Sequence, residues 1–184
     1  MFGGSLEKVQ TTKIMGDLNT NLGLAGSAIE YTRNALSIGR GNSVEDNIEG
    51  SAFMGTPFLC VTVQRTATMV SSAIHDGQTI AQLADRAERF RCGNCGEQSA
   101  VAMRYLIRQH IRPLDYMSLS NGDHTFVVID RLANSNEQDP RTWGASAVVC
   151  DPWIRHAYSA AELLIRMRHI SHGNTPRPYS RFRT

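Results

Sequence analysis

The chain has 184 residues, 19 basic and 17 acidic, for a formal net charge of +2, and four cysteines. That length is enough for one domain with a core of its own, without disulfide staples. The near-balanced charge gives nucleic-acid binding no global support, and no apolar run approaches the length that spans a bilayer.

In chain order, residues 1–20 are rich in Gly, Thr, Asn and Lys and lack the apolar stretch of a secretory signal. Residues 22–38 form a predicted helix through Leu24, Ala28, Ile29 and Ala35. The polar, Gly-containing stretch 39–50 is a predicted loop and the expected boundary between an arm at 1–50 and a catalytic body at 51–184. Between 58 and 74 the pattern is divided between strand and helix, and helix is the reading taken, on Leu59, Val63, Val70 and Ile74. Residues 77–90 read as a helix with Ile80, Leu83, Ala84, Ala87 and Phe90 on one face.

The most informative stretch follows: Gly93-Asn94-Cys95-Gly96-Glu97-Gln98-Ser99. Asn94 is a good N-cap and Glu97, three residues on, can reach back to the N-cap amide as in a capping box. Cys95 then opens a helix, where unpaired amides and the positive end of the helix dipole favour thiolate over thiol. The helix continues to about residue 111, and its small early residues Gly96, Ser99, Ala100 and Ala102 leave room for a strand to pack close. Two strand-like runs at 116–120 and 125–129 flank Asn121-Gly122, a dipeptide suited to the positive φ of a hairpin turn. His124 stands at the mouth of the second strand. Apolar residues on both faces of that strand place it in the middle of a sheet. After a polar loop at 132–144, residues 145–150 form a neighbouring strand that ends at Asp151-Pro152. Ser159 and Glu162 form a predicted capping box for a helix at 160–169, and the basic tail 177–183 is read as a solvated terminus.

A thiol at a helix start, followed by an imidazole and a carboxylate at strand ends, points to nucleophilic catalysis. The carboxylate is Asp151, with Asp123 and Asp130 as rivals in the same region. Cys95, His124 and Asp151 resemble the Cys-His-Asp triad of the papain-like and transglutaminase-like thiol enzymes, and in flavour the compact effector and toxin domains of bacteria that act as proteases or glutamine deamidases. The resemblance covers roughly residues 85–165. It implies an α+β fold with the nucleophile helix packed on a small antiparallel sheet, and a cysteine-dependent amide hydrolase acting on protein substrates, host proteins among them. It implies no cofactor and no metal. The glutamine that papain-like proteases carry shortly before the cysteine is absent, so the oxyanion donors are the Cys95 amide with Asn94 and Gln98 as candidates. The expected location is a reducing one, either the cytoplasm or, for a secreted effector, that of a host, because the four cysteines do not resemble a disulfide framework.

Two competing readings stand beside this one. Cys92-Gly93-Asn94-Cys95 is a CxxC, which elsewhere marks a redox dithiol or half of a zinc site, although no second CxxC or close histidine pair repeats the spacing. The alternative from another class is a catalytically inactive partner-binding module of the same fold, in which Cys95 is an inert buried thiol.

Overall fold

The computed structural model describes residues 16–37 and 77–184. Helix α1 spans Leu18–Ala35, α2 Gly77–Phe90 and α3 Cys95–Arg108. Strands β1 (Leu114–Leu119), β2 (Thr125–Ile129), β3 (Val148–Asp151) and β4 (His156–Ser159) follow. A short helix α4 at Leu163–Arg166 and strand β5 at Pro178–Arg183 complete the order. The five strands make one antiparallel sheet in the order β4-β3-β2-β1-β5. The fold class is therefore α+β with a small antiparallel sheet.

Alternation of side chains along each strand gives the sheet two buried faces. One carries Leu114, Tyr116, Val127, Ile129, Val148 and Cys150 against α1, α2 and α3. The other carries Met117, Phe126, Val128, Val149 and Tyr158 against Trp143, Leu163 and Met167. That explains why β2 reads apolar on both sides, and β2 is the third of five strands, as its pattern predicts. In α2, Ile80, Leu83, Ala84 and Ala87 are buried, whereas Phe90 is only half-buried. The helix start of α3 falls where the capping box predicts it.

Several expectations change. Helix α1 begins four residues earlier than the periodicity suggests because the Asp17 carboxylate accepts from the Thr20 amide at 2.8 Å and caps it. Its buried line of Asn21, Ala25, Ala28 and Thr32 lies in the helix-side core, so the helix assigned to a polar arm packs with the sheet-bearing body. The expected loop at 39–50 and helix at 58–74 lie outside the described residues. The predicted helix at 160–169 is reduced to a 3-10 turn at Ala160–Glu162 and the single turn of α4. Ser159 belongs to β4 and makes no capping hydrogen bond, and Glu162 pairs with Arg166 at 2.7 Å instead of reaching back.

The tail is the largest correction. Residues 178–183, read as a solvated terminus, pair along β1 as an edge strand. What fixes them is a carboxylate: Asp115, fully buried, accepts from Arg131 at 2.7 Å, Arg183 at 2.9 Å and the Ser180 hydroxyl at 3.1 Å. A basic tail is thus neutralised by a buried acid on the neighbouring strand. The backbone of Thr184 adds a bond to the Leu114 carbonyl at 3.0 Å. Because Arg131 is also buried and would keep only its longer 3.8 Å ion pair with Glu137, Asp115→Ala is expected to cost about 3–5 kcal/mol in urea unfolding. A loss below about 1 kcal/mol would show that β5 does not depend on this cluster.

Candidate active site

The turn ahead of α3 is locked from three directions. Asn94 Oδ1 accepts from the Gly96 amide and Glu97 Oε2 from the Asn94 amide, each at 3.1 Å, completing the capping box. Gln98 Nε2 donates to the Gly93 carbonyl at 2.9 Å. Glycine is required at 93, since a Cβ there would stand 2.5 Å from the Glu97 Cβ. Burial pushes the Glu97 carboxyl up, with the amides of Glu97 and Asn94 pulling the other way. The result holds Cys95 at the first helical position, with 7% of its surface exposed.

Beneath this turn the helix is tied to the sheet by buried hydroxyls. Tyr116 donates to the Gly96 carbonyl at 2.8 Å, and Ser99 donates to the Thr125 carbonyl at 2.9 Å. Thr125 in turn shares a 3.1 Å hydrogen bond with Ser118. The small first turns therefore do admit a strand, and a hydroxyl uses the space to bond it. Tyr116 was not singled out by the sequence; an aromatic in a strand is ordinarily core, and its polar tip carries no periodic signature.

His124 precedes β2, and its carbonyl accepts from Leu119 to close the β1–β2 hairpin at 3.0 Å. The turn differs from the expected one: neither Asn121 nor Gly122 takes a positive φ. Asn121 instead anchors the loop to the 175–177 segment, donating to the Thr175 carbonyl at 2.8 Å and accepting from the Arg177 amide at 2.9 Å. The hairpin forms, by a longer loop that a neighbouring segment braces.

The structure brings the thiol, imidazole and Asp151 carboxylate together. His124 Nε2 donates to Asp151 Oδ2 at 2.5 Å, with both side chains buried. The Cys95 side chain lies close enough to His124 to act on the charge of its ring. Since Nε2 is committed to Asp151, Nδ1 is the nitrogen left for the thiol. The second oxygen of Asp151 accepts from the amides of Trp153 at 3.1 Å and Ile154 at 3.2 Å, so the turn that Pro152 initiates orients the carboxylate. The Trp153 ring meets the His124 ring edge-on, with centroids 5.5 Å apart. Burial alone would push the imidazole toward neutrality, but the Asp151 charge and hydrogen bond, helped by Cys95, raise its pKa to about 10.

The rival carboxylates are placed differently. Asp130 lies at the far end of β2 and accepts from the Ser146 hydroxyl at 2.8 Å. Asp123 sits beside His124 in sequence, but it is Asp151 that bonds the ring. Of the oxyanion candidates, Asn94 uses its side-chain oxygen as a cap and Gln98 directs one amide hydrogen to Gly93. The Cys95 amide, at the first helical position, has no partner within its own helix.

Cysteine chemistry corrects one expectation. Cys92 is disulfide-bonded rather than a free thiol, while Cys95 and Cys150 are free. The CxxC is thus not closed on itself. Among the described residues, no three His, Cys, Asp or Glu side chains converge so as to hold a metal ion, and no helix is long and apolar enough to cross a membrane. Comparison of the chain with protein-family models, curated proteins and solved structures finds no match.

Because the folded pKa of His124 lies above its ordinary 6.5, the protonated pair contributes its full stability below about pH 6.5 and loses it as pH rises toward about 10. In Asp151→Asn, burial is opposed by Cys95 alone, so NMR titration of the His124 ring should find its midpoint well below that of the wild type. The gap in melting temperature between the two proteins should narrow from pH 7 to pH 10. An unchanged midpoint would mean that Asp151 does not set the charge of the ring.

Proposed function

We propose that this protein is a cysteine-dependent amide hydrolase of the papain-like and transglutaminase-like kind, acting on protein substrates through Cys95, His124 and Asp151. The observation that carries the reading is the single buried chain of contacts from the thiol through the imidazole to a carboxylate whose other oxygen is held by two amides. A structural histidine would be satisfied by Asp151 alone, whereas a general base must also stand against its nucleophile, here the thiol of the first residue of α3.

In the proposed reaction Cys95 Sγ attacks an amide carbon, and the oxyanion forms against the Cys95 amide. His124 gives its proton to the departing nitrogen as the carbon–nitrogen bond breaks. Water, deprotonated by His124, then attacks the thioester and releases a carboxylic acid and the free thiol. Asp151 keeps the imidazole in the orientation that presents Nδ1 to sulfur and steadies its charge without taking the proton. Glutamine deamidation is one outcome of this chemistry, when the attacked amide is a side-chain carboxamide. Proteolysis is the second outcome of the same chemistry, and an amine in place of water gives transglutamination. An effector role in a host cell is consistent with a protein substrate.

Peptide mapping of a cell lysate incubated with wild-type protein and with Cys95→Ala tests the proposal. Deamidation adds about one dalton to particular glutamines and proteolysis creates new termini, in each case with the wild type only. Asp151→Asn should lower the rate at those positions by about a hundredfold or more with little change in KM. A lysate map identical for wild type and Cys95→Ala would contradict the proposal.

A further inference from the structure

Residues 163–184 carry five arginines, two histidines and no Asp or Glu, so the remainder of the chain, which holds all 17 acidic residues, is net acidic. Positive charge is concentrated in this stretch. Arg166 pairs with Glu162, Arg183 pairs with Asp115, and Arg181 has an interaction of its own. Arg168 and Arg177 differ: both are exposed, and among the described residues neither forms an ion pair. Arg168 Nε donates to the Gly173 carbonyl at 3.0 Å. Arg177 contributes its backbone, the amide donating to Asn121 at 2.9 Å and the carbonyl accepting from the Ser120 amide at 2.9 Å, so its guanidinium is not consumed by these bonds. The same segment braces the loop that leads into His124. Asn121 donates to the Thr175 carbonyl at 2.8 Å, and a Cβ at Gly122 would stand 3.1 Å from the Ile170 carbonyl oxygen. Gly122 is two residues before His124, and two residues of extended chain reach at most about 7 Å. The segment bearing both arginines therefore touches the His124 loop at a point closer to that residue than the screening length at ordinary salt, about 10 Å.

We propose that residues 168–177 form a docking surface of the Cys95 site for an acidic stretch of the protein substrate, with Arg168 and Arg177 as its contacts. The inference rests on the reading of Cys95 as a nucleophile. A guanidinium pairs with a carboxylate through two parallel hydrogen bonds, and an anchored main chain spares part of the ordering cost that a loose tail would incur. An acidic segment held there raises the local concentration of a neighbouring amide at the thiol, with no new contact at Cys95 itself. A basic segment at that place is repelled. Nucleic acid has the same sign of charge, but it needs a track of many phosphate contacts, and a chain of net charge +2 whose remainder is acidic does not supply one. A short acidic peptide needs only this segment.

The test needs no natural substrate. Two iodoacetyl peptides of equal length serve as probes, one carrying a run of glutamates and the other an uncharged glycine-serine run, each joined to the reactive group by a flexible linker that reaches about 13 Å. Both alkylate a thiol, the sulfur displacing iodide to form a thioether, and peptide mapping follows the rate at Cys95. At low salt the acidic probe should label Cys95 about tenfold faster than the neutral one, and the advantage should vanish in about 1 M salt. Arg168→Gln combined with Arg177→Gln should remove most of the advantage and leave the neutral rate unchanged, whereas lysine at both positions should keep part of it. Arg141→Gln, at an exposed loop arginine paired with Asp139, should alter neither rate. If wild-type Cys95 takes both probes equally fast, or the double variant keeps the full advantage, the segment is not the docking surface and the nucleophile reading stands. A double variant that slows both probes alike would make the arginines supports of the His124 loop, against the proposal. An iodoacetyl oligonucleotide that outpaces the acidic peptide would assign the surface to nucleic acid and overturn it. If wild-type Cys95 takes neither peptide, the nucleophile reading fails and this inference with it.

Discussion

A buried imidazole hydrogen-bonded to a buried carboxylate is the constraint on which the rest of this site depends. Removing both groups from water is costly, and the pair is tolerable only if every remaining lone pair and proton finds a partner. Here the balance closes. One Asp151 oxygen accepts the hydrogen bond from His124, the other accepts from the amides of residues 153 and 154, and the far side of the ring meets Cys95. Each group is therefore specified by the next. The turn after β3 exists to hold the carboxylate, and β2 pairs antiparallel with β3, which carries the imidazole to it.

The thiol reaches that pair because α3 starts at one place. Capping by Asn94 and Glu97, the close approach at Gly93 and the Tyr116 bond to Gly96 fix the first turn from both the loop and the sheet. A helix whose first turn frayed would leave Cys95 without a defined distance to His124. The Ser99 bond to the Thr125 carbonyl connects the same helix to the residue following His124. Nucleophile and base are thus mounted on two elements joined by a short buried hydrogen bond.

Much of this was legible in the sequence because it is local. The capping box around Cys95, the α2 helix at 77–90 and the β2 run at 125–129 are governed by neighbours a few residues away, and all three stand where their patterns put them. What was not legible depends on partners distant in sequence. Residues 178–183 look like a solvated basic tail until Asp115 is set beside them, 68 residues from Arg183. Asn121-Gly122 carries a hairpin-turn signature, yet the 175–177 segment claims the Asn121 side chain and the turn takes another shape. The box at Ser159 and Glu162 does not form because Ser159 pairs with Val148 in the sheet and the glutamate turns forward to Arg166, four residues on. Tyr116 and the hydroxyls under α3 have no sequence signature, since their role is defined only once helix and sheet are in contact.

The central claim is that His124 activates Cys95. At pH 6 an ordinary thiol is almost wholly protonated and alkylates slowly. The second-order rate of iodoacetamide with Cys95 at that pH, in wild type and His124→Ala, measures the claim directly. The account predicts that removing the imidazole lowers the rate by at least about tenfold, with Cys150, buried and hydrogen-bonded to the Ala25 carbonyl, unreactive in both proteins. Equal rates at Cys95 in the two proteins would contradict it.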